Sequence, residues 1–246
     1  MFIANWKMNG SLTMLEEWLN GVGKTLNKSL QKQCLLCPPV CFLSEASNLI
    51  SKLNLSISLG AQNIDPSSIS SLTGGIDGSM LRSIGSEFVI IGHSERRDIF
   101  KEGDSLLLEK LKSASEEGLK VVFCIGESLS EKEQNQTLNI LRQQLKIIKK
   151  VELNEFMIAY EPVWAIGTGN TANIDYIDKI HQEIIDEVSS YQKEGFLGVS
   201  YGGSVDSSSS KDILSIKGVQ GLLIGGASLQ YQEFCNIVLS LSLIHI

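Results

Sequence analysis

The stretch Phe156-Met-Ile-Ala-Tyr160-Glu161-Pro162-Val-Trp164-Ala-Ile-Gly167-Thr-Gly169 decides how the chain reads. Five apolar or aromatic residues run without a polar break, as in a strand buried on both faces, and the run stops at a carboxylate. Proline follows at once, then a glycine-bearing loop, so Glu161 has a rigid support on one side and a candidate flap on the other. Taken alone, a glutamate at a strand end is more often a solvated surface group than a reagent. The alternative reading is a proton-abstracting base.

Working outward, short apolar runs alternate with longer amphipathic ones. Strands are expected over Phe2–Asn5, Cys34–Cys37, Ser56–Ala61, Phe88–Gly92, Val121–Ile125, Phe156–Glu161, Leu197–Tyr201 and Leu222–Gly225. Helical patterns lie between them, among them Asp104–Glu117, Ser130–Lys150 and Asp175–Glu194. The second opens with Ser130-x-x-Glu133, a capping-box pattern, before Leu138, Leu141, Leu145 and Ile148 recur at helical spacing. Eight strand–helix units in 246 residues suit an α/β fold of the (β/α)8 barrel type, one domain over residues 1–246, with eight parallel strands. A doubly wound open sheet is the competing arrangement. Polar groups follow many strands rather than one switch point: Asn5 and Lys7, Gln62, His93, Glu161, Ser204 and Gly225-Gly226. That distribution favours the closed barrel, which gathers all strand ends at one mouth.

Composition narrows the function. The chain is 43% hydrophobic and 20% charged, so it can bury a sizeable core. The net charge of −7, from 28 acidic and 21 basic residues, argues against nucleic acid or an anionic membrane as a partner. No run reaches the roughly 20 apolar residues of a membrane span, and no signal pattern opens the chain, which makes the cytoplasm the expected setting. Cys34, Cys37, Cys41, Cys124 and Cys235 are odd in number and fall mostly in apolar runs, as reduced thiols do. Cys34-x-x-Cys37 has no second ligand pair at metal spacing, so no metal is expected.

Three further groups have two readings each. His93, in Gly92-His93-Ser94-Glu95-Arg96-Arg97, is either a hydrogen-bonded structural histidine or, beside a helix start that disfavours its cation, a neutral donor to an oxygen gaining charge. His181 and His245 lack such a setting and read as structural or surface residues. Lys7 is either a solvated cation or, at a barrel mouth with Glu95 as partner, an attractor for a phosphorylated or enolate-bearing substrate. Gly202-Gly203-Ser204 and Gly225-Gly226-Ala227-Ser228 are either turns or phosphate cradles, the second with a helix opening at Ala227.

With these segments assembled, the chain resembles the triosephosphate isomerase family over essentially its whole length. The resemblance is carried by Asn5-Trp-Lys7-Met-Asn-Gly10, Gly60-Ala-Gln62-Asn63, Gly92-His93-Ser94-Glu95-Arg96-Arg97, Cys124-Ile-Gly126-Glu127, the Ala159–Gly169 stretch, Tyr201-Gly-Gly-Ser204 and Gly225-Gly-Ala-Ser228. It implies cofactor-free interconversion of dihydroxyacetone phosphate and glyceraldehyde 3-phosphate through an enediolate, in glycolysis and gluconeogenesis. Glu161 would move the proton, with His93 as donor, Lys7 as cation and Asn5 orienting the substrate, a scheme this family illustrates generally. Ser204, Gly225, Gly226 and the Gly167 N–H would hold phosphate, with Ser94, Glu95 and Cys124 supporting. Pro162–Trp164 and Asn170–Ala172 would be the hinges of a lid whose tip excludes water. Asn170 stands where the family usually has lysine, and Gln220 where it usually has aspartate. The loop Ser71-Leu-Thr73-Gly74-Gly75 resembles the family's dimer loop, with Thr73 and Gly74 at the contact of a homodimer and Gly75 where an acidic residue is common. Another sugar-phosphate barrel enzyme and a catalytically silent scaffold are the alternatives, and the intact Lys7, His93 and Glu161 set speaks against both. The apolar tail Leu239–Ile246 reads as a helix end covering the barrel bottom or as an extension.

Overall fold

The computed structural model describes residues 1–166, 172–192 and 194–241. Eight parallel strands close in sequence order into a barrel: β1 Phe2–Asn5, β2 Cys34–Cys37, β3 Ser58–Ala61, β4 Phe88–Ile91, β5 Lys120–Ile125, β6 Phe156–Tyr160, β7 Phe196–Tyr201 and β8 Gly221–Ile224. Closure is made by β1 against β8, with Phe2 opposite Leu222 and Ala4 opposite Ile224. The open-sheet alternative is therefore discarded.

Residues of alternate parity separate into two cores, as the two-residue period of a strand requires. Ile3, Leu35, Cys37, Phe88, Ile90, Val122, Cys124, Met157, Ala159 and Leu223 fill the barrel interior. Their neighbours Phe2, Ala4, Leu36, Val89, Val121, Phe123, Ile158 and Leu222 face outward into the layer shared with the helices. The same parity carries Asn5, two beyond Ile3, and Glu161, two beyond Ala159, toward the interior at the mouth.

The helices bury one stripe each. Leu12–Thr25 starts at Ser11, whose hydroxyl accepts from Met14 N, and buries Leu15, Trp18, Leu19 and Val22. It packs against the helix Tyr231–Ser240, where Trp18 lies tilted against Phe234 and donates its indole N–H to Ser228 O at 2.8 Å.

Several boundaries differ from the sequence expectation. Ser130–Lys150 is not one helix: Leu129–Glu133 ends before Asn135, whose φ of 56° is left-handed, and Thr137–Leu145 and a 3-10 turn Ile148–Lys150 follow. The capping box lies two residues earlier, where the Ser128 hydroxyl accepts from Glu131 N and the Glu131 carboxylate accepts from Ser128 N. Both Ser-x-x-Glu patterns exist in the sequence, and the exit of β5 places Ser128 at the cap. The helix expected over Asp175–Glu194 is Ile174–Ser189, begun by the Asn173 side chain accepting from Asp175 N. No α-helix opens at Ala227. Gly226–Leu229 is a single 3-10 turn, too short to carry a macrodipole argument. Strand limits shift by one or two residues. Among the described residues no helix is long and apolar enough to cross a membrane. The tail beyond Leu241, with His245, lies outside the described residues.

Candidate active site

Every strand ends at the same rim, and the chemically active side chains meet there around a cavity of about 210 Å³. Asn5, Lys7, His93 and Glu161 line one part of it and Ser204, Gly225 and Gly226 another.

Asn5, buried at the end of β1, accepts from Lys7 N at 3.1 Å. Lys7 takes a left-handed backbone, φ 53°, uncommon for a side-chain-bearing residue and here held by two contacts. The Asn5 carboxamide holds its N–H, and Gln62 Nε2 donates to its carbonyl at 2.9 Å. Its ammonium reaches across to Glu95 Oε1 at 2.7 Å, as the charge pattern suggested. The aliphatic stem passes over Gly225, where a Cβ would stand 3.4 Å from Lys7 Cε, so cation and glycine turn are neighbours.

His93 follows Gly92, whose φ of 75° turns the chain after β4 and delivers the imidazole to the mouth, where strand parity alone would not. It caps the helix Ser94–Ile99. Its Nε2 lies 3.0 Å from Glu161 Oε1, while its Nδ1 faces Glu95 twice, 3.3 Å from the backbone N–H and 3.5 Å from Oε2. Glu161 is 2% exposed. Its second oxygen accepts from Ser94 N at 3.0 Å, so Ser94 contributes its backbone rather than its hydroxyl. A glycine is needed opposite: a Cβ on Gly202 would press to 2.9 Å from Glu161 Cγ.

The two groups titrate against each other. Burial opposes the imidazolium, but the adjoining Glu161 carboxylate, with Glu95 behind it, outweighs burial and raises the His93 pKa. Burial likewise disfavours the Glu161 carboxylate, and the His93 charge and hydrogen bond, the Ser94 N–H and Lys7 reverse this to a net lowering. Either charge state of the ring finds a partner on Glu95, the carboxylate for the cation and the N–H for the neutral form. Cys124 is buried beneath the site. Burial, then the neighbouring carboxylate, push its thiol well above the ordinary value, which removes it as an acid–base group at neutral pH.

On the other wall, Ser204 donates its hydroxyl to Ala165 O at 2.7 Å, tying the turn after β7 to the segment after Glu161. A Cβ on Gly226 would meet nothing within 4 Å, so this backbone faces open space. Pro162 leads into a 3-10 turn, Val163–Ala165. Gly167 to Gly169 of the expected lid tip, and Asn170 at its second hinge, lie outside the described residues. Thr73 and Gly74 are exposed and are not part of this cavity. Gly74 borders a second groove of about 320 Å³ that shares Asn5, Lys7 and His93 with the mouth. Arg96 and Arg97 have carboxylates within their own chain, Glu102 at 2.7 Å and Asp104 at 3.8 Å. Gln220 keeps a polar tie without charge, accepting from Val199 N at 2.8 Å and donating to Lys217 O at 3.1 Å. His181 is structural, buried and bonded to Gly218 O at 2.9 Å.

The sequence assigned no role to Glu127 or Gln144, and it read Gly202 only as part of a turn or phosphate cradle, not as the residue that makes room for Glu161. Glu127 is a fully buried carboxylate just past β5, accepting from Trp164 Nε1 and the hydroxyls of Tyr160 and Tyr176 at 2.9 to 3.1 Å. Its signal was its place, a carboxylate two residues beyond an apolar strand. No cluster of metal-ligating side chains occurs among the described residues.

Residues 1–241 match the family model described as triosephosphate isomerase. Proteins named triosephosphate isomerase are similar to the chain over most of both lengths. That of Bartonella tribocorum is 41% identical over 243 residues, covering 96% of this chain and 94% of its own. That of Nitrosococcus oceani is 37% identical over 244 residues, covering 96% of each. That of Aquifex aeolicus is 36% identical over 246 residues, covering 98% of each.

Proposed function

The chain belongs to the triosephosphate isomerase family, and from that membership we propose that it interconverts dihydroxyacetone phosphate and D-glyceraldehyde 3-phosphate by moving one proton between adjacent carbons, with Glu161 as the base. The observation that carries the assignment of roles is the facing of Glu161 Oε1 and His93 Nε2 at 3.0 Å across a cavity that also holds Lys7 and the Gly225-Gly226 turn.

Glu161 leaves its bond with His93 to take a proton from the carbon beside the substrate carbonyl. The C–H electron pair becomes the carbon–carbon double bond of an enediolate, and negative charge gathers on the former carbonyl oxygen. A carboxylate is a weak base toward carbon, so the step proceeds only if the enediolate is held better than the ketone. His93 Nε2–H and the Lys7 ammonium supply that preference in a cavity of low dielectric. Once Glu161 carries the substrate proton, its charge no longer raises the His93 pKa. Burial and Lys7 then oppose the cation with Glu95 alone favouring it, and the neutral ring keeps Nδ1 accepting from Glu95 N. A neutral imidazole can give Nε2–H to one oxygen and receive a proton from the other, and Glu161 returns its proton to the second carbon. Asn5 orients the substrate, and Ser204, Gly225 and Gly226 receive its phosphate through small residues and backbone N–H groups. Ser94 and Glu95 hold Glu161 and Lys7 in place.

The protein acts as a homodimer in the cytoplasm on this reading. Met8, 96% exposed, and Val40, 49% exposed, line the second groove with Gly74, and Leu72 beside Thr73 in the same loop is 49% exposed, apolar surface suited to a second copy. Five free cysteines, four of them buried, suit a reducing compartment. A coupled assay on the purified protein, run from each triose phosphate in turn, tests the reaction; failure to convert either overturns it. Sedimentation at micromolar concentration is expected to give twice the 26.9 kDa chain mass, and a monomer there overturns the dimer.

A further inference from the structure

Gln144 belongs to the helix Thr137–Leu145, outside the barrel, yet its side chain ends on the turn leaving β5. Its Nε2 donates to Gly126 O at 2.9 Å and its Oε1 accepts from Gly126 N at 2.9 Å. One rigid amide thus holds both peptide groups of a single glycine. The opposite face of Gly126 has no space: a Cβ there would stand 1.8 Å from the Glu161 carbonyl oxygen and 2.7 Å from its carbonyl carbon. The residues on either side are laced to the segment that carries the base, Glu161 N to Ile125 O at 2.7 Å and Val163 N to Glu127 O at 3.1 Å. Gly126 is therefore pressed between the amide of Gln144 and the main chain of Glu161.

The adjacent turn shows the same device. Arg97, on the helix after β4, donates Nε to Gly92 O at 2.7 Å and a terminal nitrogen to Cys124 O at 3.0 Å, and so holds the turn that carries His93. Between the two clamps lies a cavity of about 360 Å³ bordered by Arg97, Gly126, Gln144 and Glu161. Packing alone leaves room on that side for the turn to move.

We propose that Gln144 is a positioning residue for the reaction: it fixes the Gly126 backbone as a stop against which the main chain of Glu161 rests, and so sets where the carboxylate begins. The inference rests on Glu161 being the base. Removing the amide unpairs the Gly126 N–H and C=O and releases the turn toward the cavity. A displacement of 1 Å in a reacting group costs roughly a hundredfold in rate, and a fraction of that displacement on the order of tenfold.

Steady-state kinetics of Q144L test this. Turnover is expected to fall about tenfold or more with KM within about twofold, because substrate contacts are untouched and only the reach of the base changes. Q144E, which keeps the shape but replaces the donor facing Gly126 O by a second oxygen, is expected to lose turnover similarly, and it carries the measurement if Q144L does not fold. The discriminating readout is a double-mutant cycle with E161D, in which the carboxylate is already withdrawn by one methylene. The Q144L loss is expected to shrink below about threefold in that background. Turnover of both variants within about threefold of the parent overturns the proposal, as does an equal loss in the two backgrounds or a rise in KM matching the fall in turnover. An active parent with an indifferent Q144L overturns this inference alone, whereas an inactive parent overturns the isomerase reading and this one with it.

Discussion

Glu127 and Glu161 stand just beyond adjacent strands, both buried, both within hydrogen-bonding distance of several donors, and their surroundings are opposite in kind. Among the described residues the Glu127 carboxylate accepts from neutral aromatic groups, the Tyr160 and Tyr176 hydroxyls and the Trp164 indole, each fixed by packing. Burial, and then in Tyr160 the neighbouring carboxylate, push both phenols upward, so these donors keep their protons. Glu161 accepts from one backbone N–H and faces an ionisable ring, with an open cavity beside it. A buried carboxylate ringed by fixed neutral donors is a structural tie. One whose partner can take or release a proton, and which has space to leave that partner, has the setting that the proposed reaction asks of its base.

Charge removal at each position is the largest way to break this contrast. Glu161→Gln keeps shape and volume and is expected to lower turnover by several powers of ten, since positioned proton transfer alone supplies roughly a hundredfold to ten-thousandfold. Near-parental turnover in that variant would erase the difference between the two carboxylates. Glu127→Gln is expected to do the reverse. Hydrogen bonds to a charged group are worth about 1.5–3 kcal/mol each, so weakening several should lower Tm by several degrees in a chain of this size. Turnover should stay within about tenfold of the parent. A thermal scan beside an assay separates the effects, and unchanged Tm with lost turnover would make Glu127 a reagent too.

The smallest expected effect sharpens the picture through pH. The His93 pKa is raised above 6.5, so its contribution to stability is full below that value and is lost as pH rises through the folded pKa. The Glu161 pKa is lowered below 4.5, so its contribution is present above that value and is lost as pH falls through the folded pKa. The pair therefore stabilises most between 4.5 and 6.5. The Tm difference between the parent and His93→Asn should narrow from pH 6 to pH 8. A difference that stays constant over that interval would mean that the ring does not titrate with Glu161.

Most of the barrel and the identity of its mouth residues were legible in the chain, because strand burial and strand–helix alternation are written in local apolar runs. The misjudged pieces share one cause. Ser128 and Ser130 each open a Ser-x-x-Glu pattern, and the folded chain uses Ser128, whose hydroxyl and N–H both engage Glu131. The left-handed Asn135 divides a run whose leucines alone read as one helix. Ser94 was legible as a neighbour of His93, but its N–H rather than its hydroxyl meets Glu161, because capping of the helix by His93 aims that N–H at the mouth.

By itself the sequence determined that Asn5 and Glu161 face inward at the mouth, since alternation from Ile3 to Asn5 and from Met157 through Ala159 to Glu161 is a property of the extended backbone, independent of what lies opposite, whereas His93 needed the left-handed turn at Gly92. Tertiary structure alone decided what each of them meets. Glu161 takes a proton donor from 67 residues away in Ser94, and Gly126 takes its clamp from 18 residues further on in Gln144. Those encounters exist only once eight strands close into a ring, because closure, not local geometry, sets the distance between one strand end and the next.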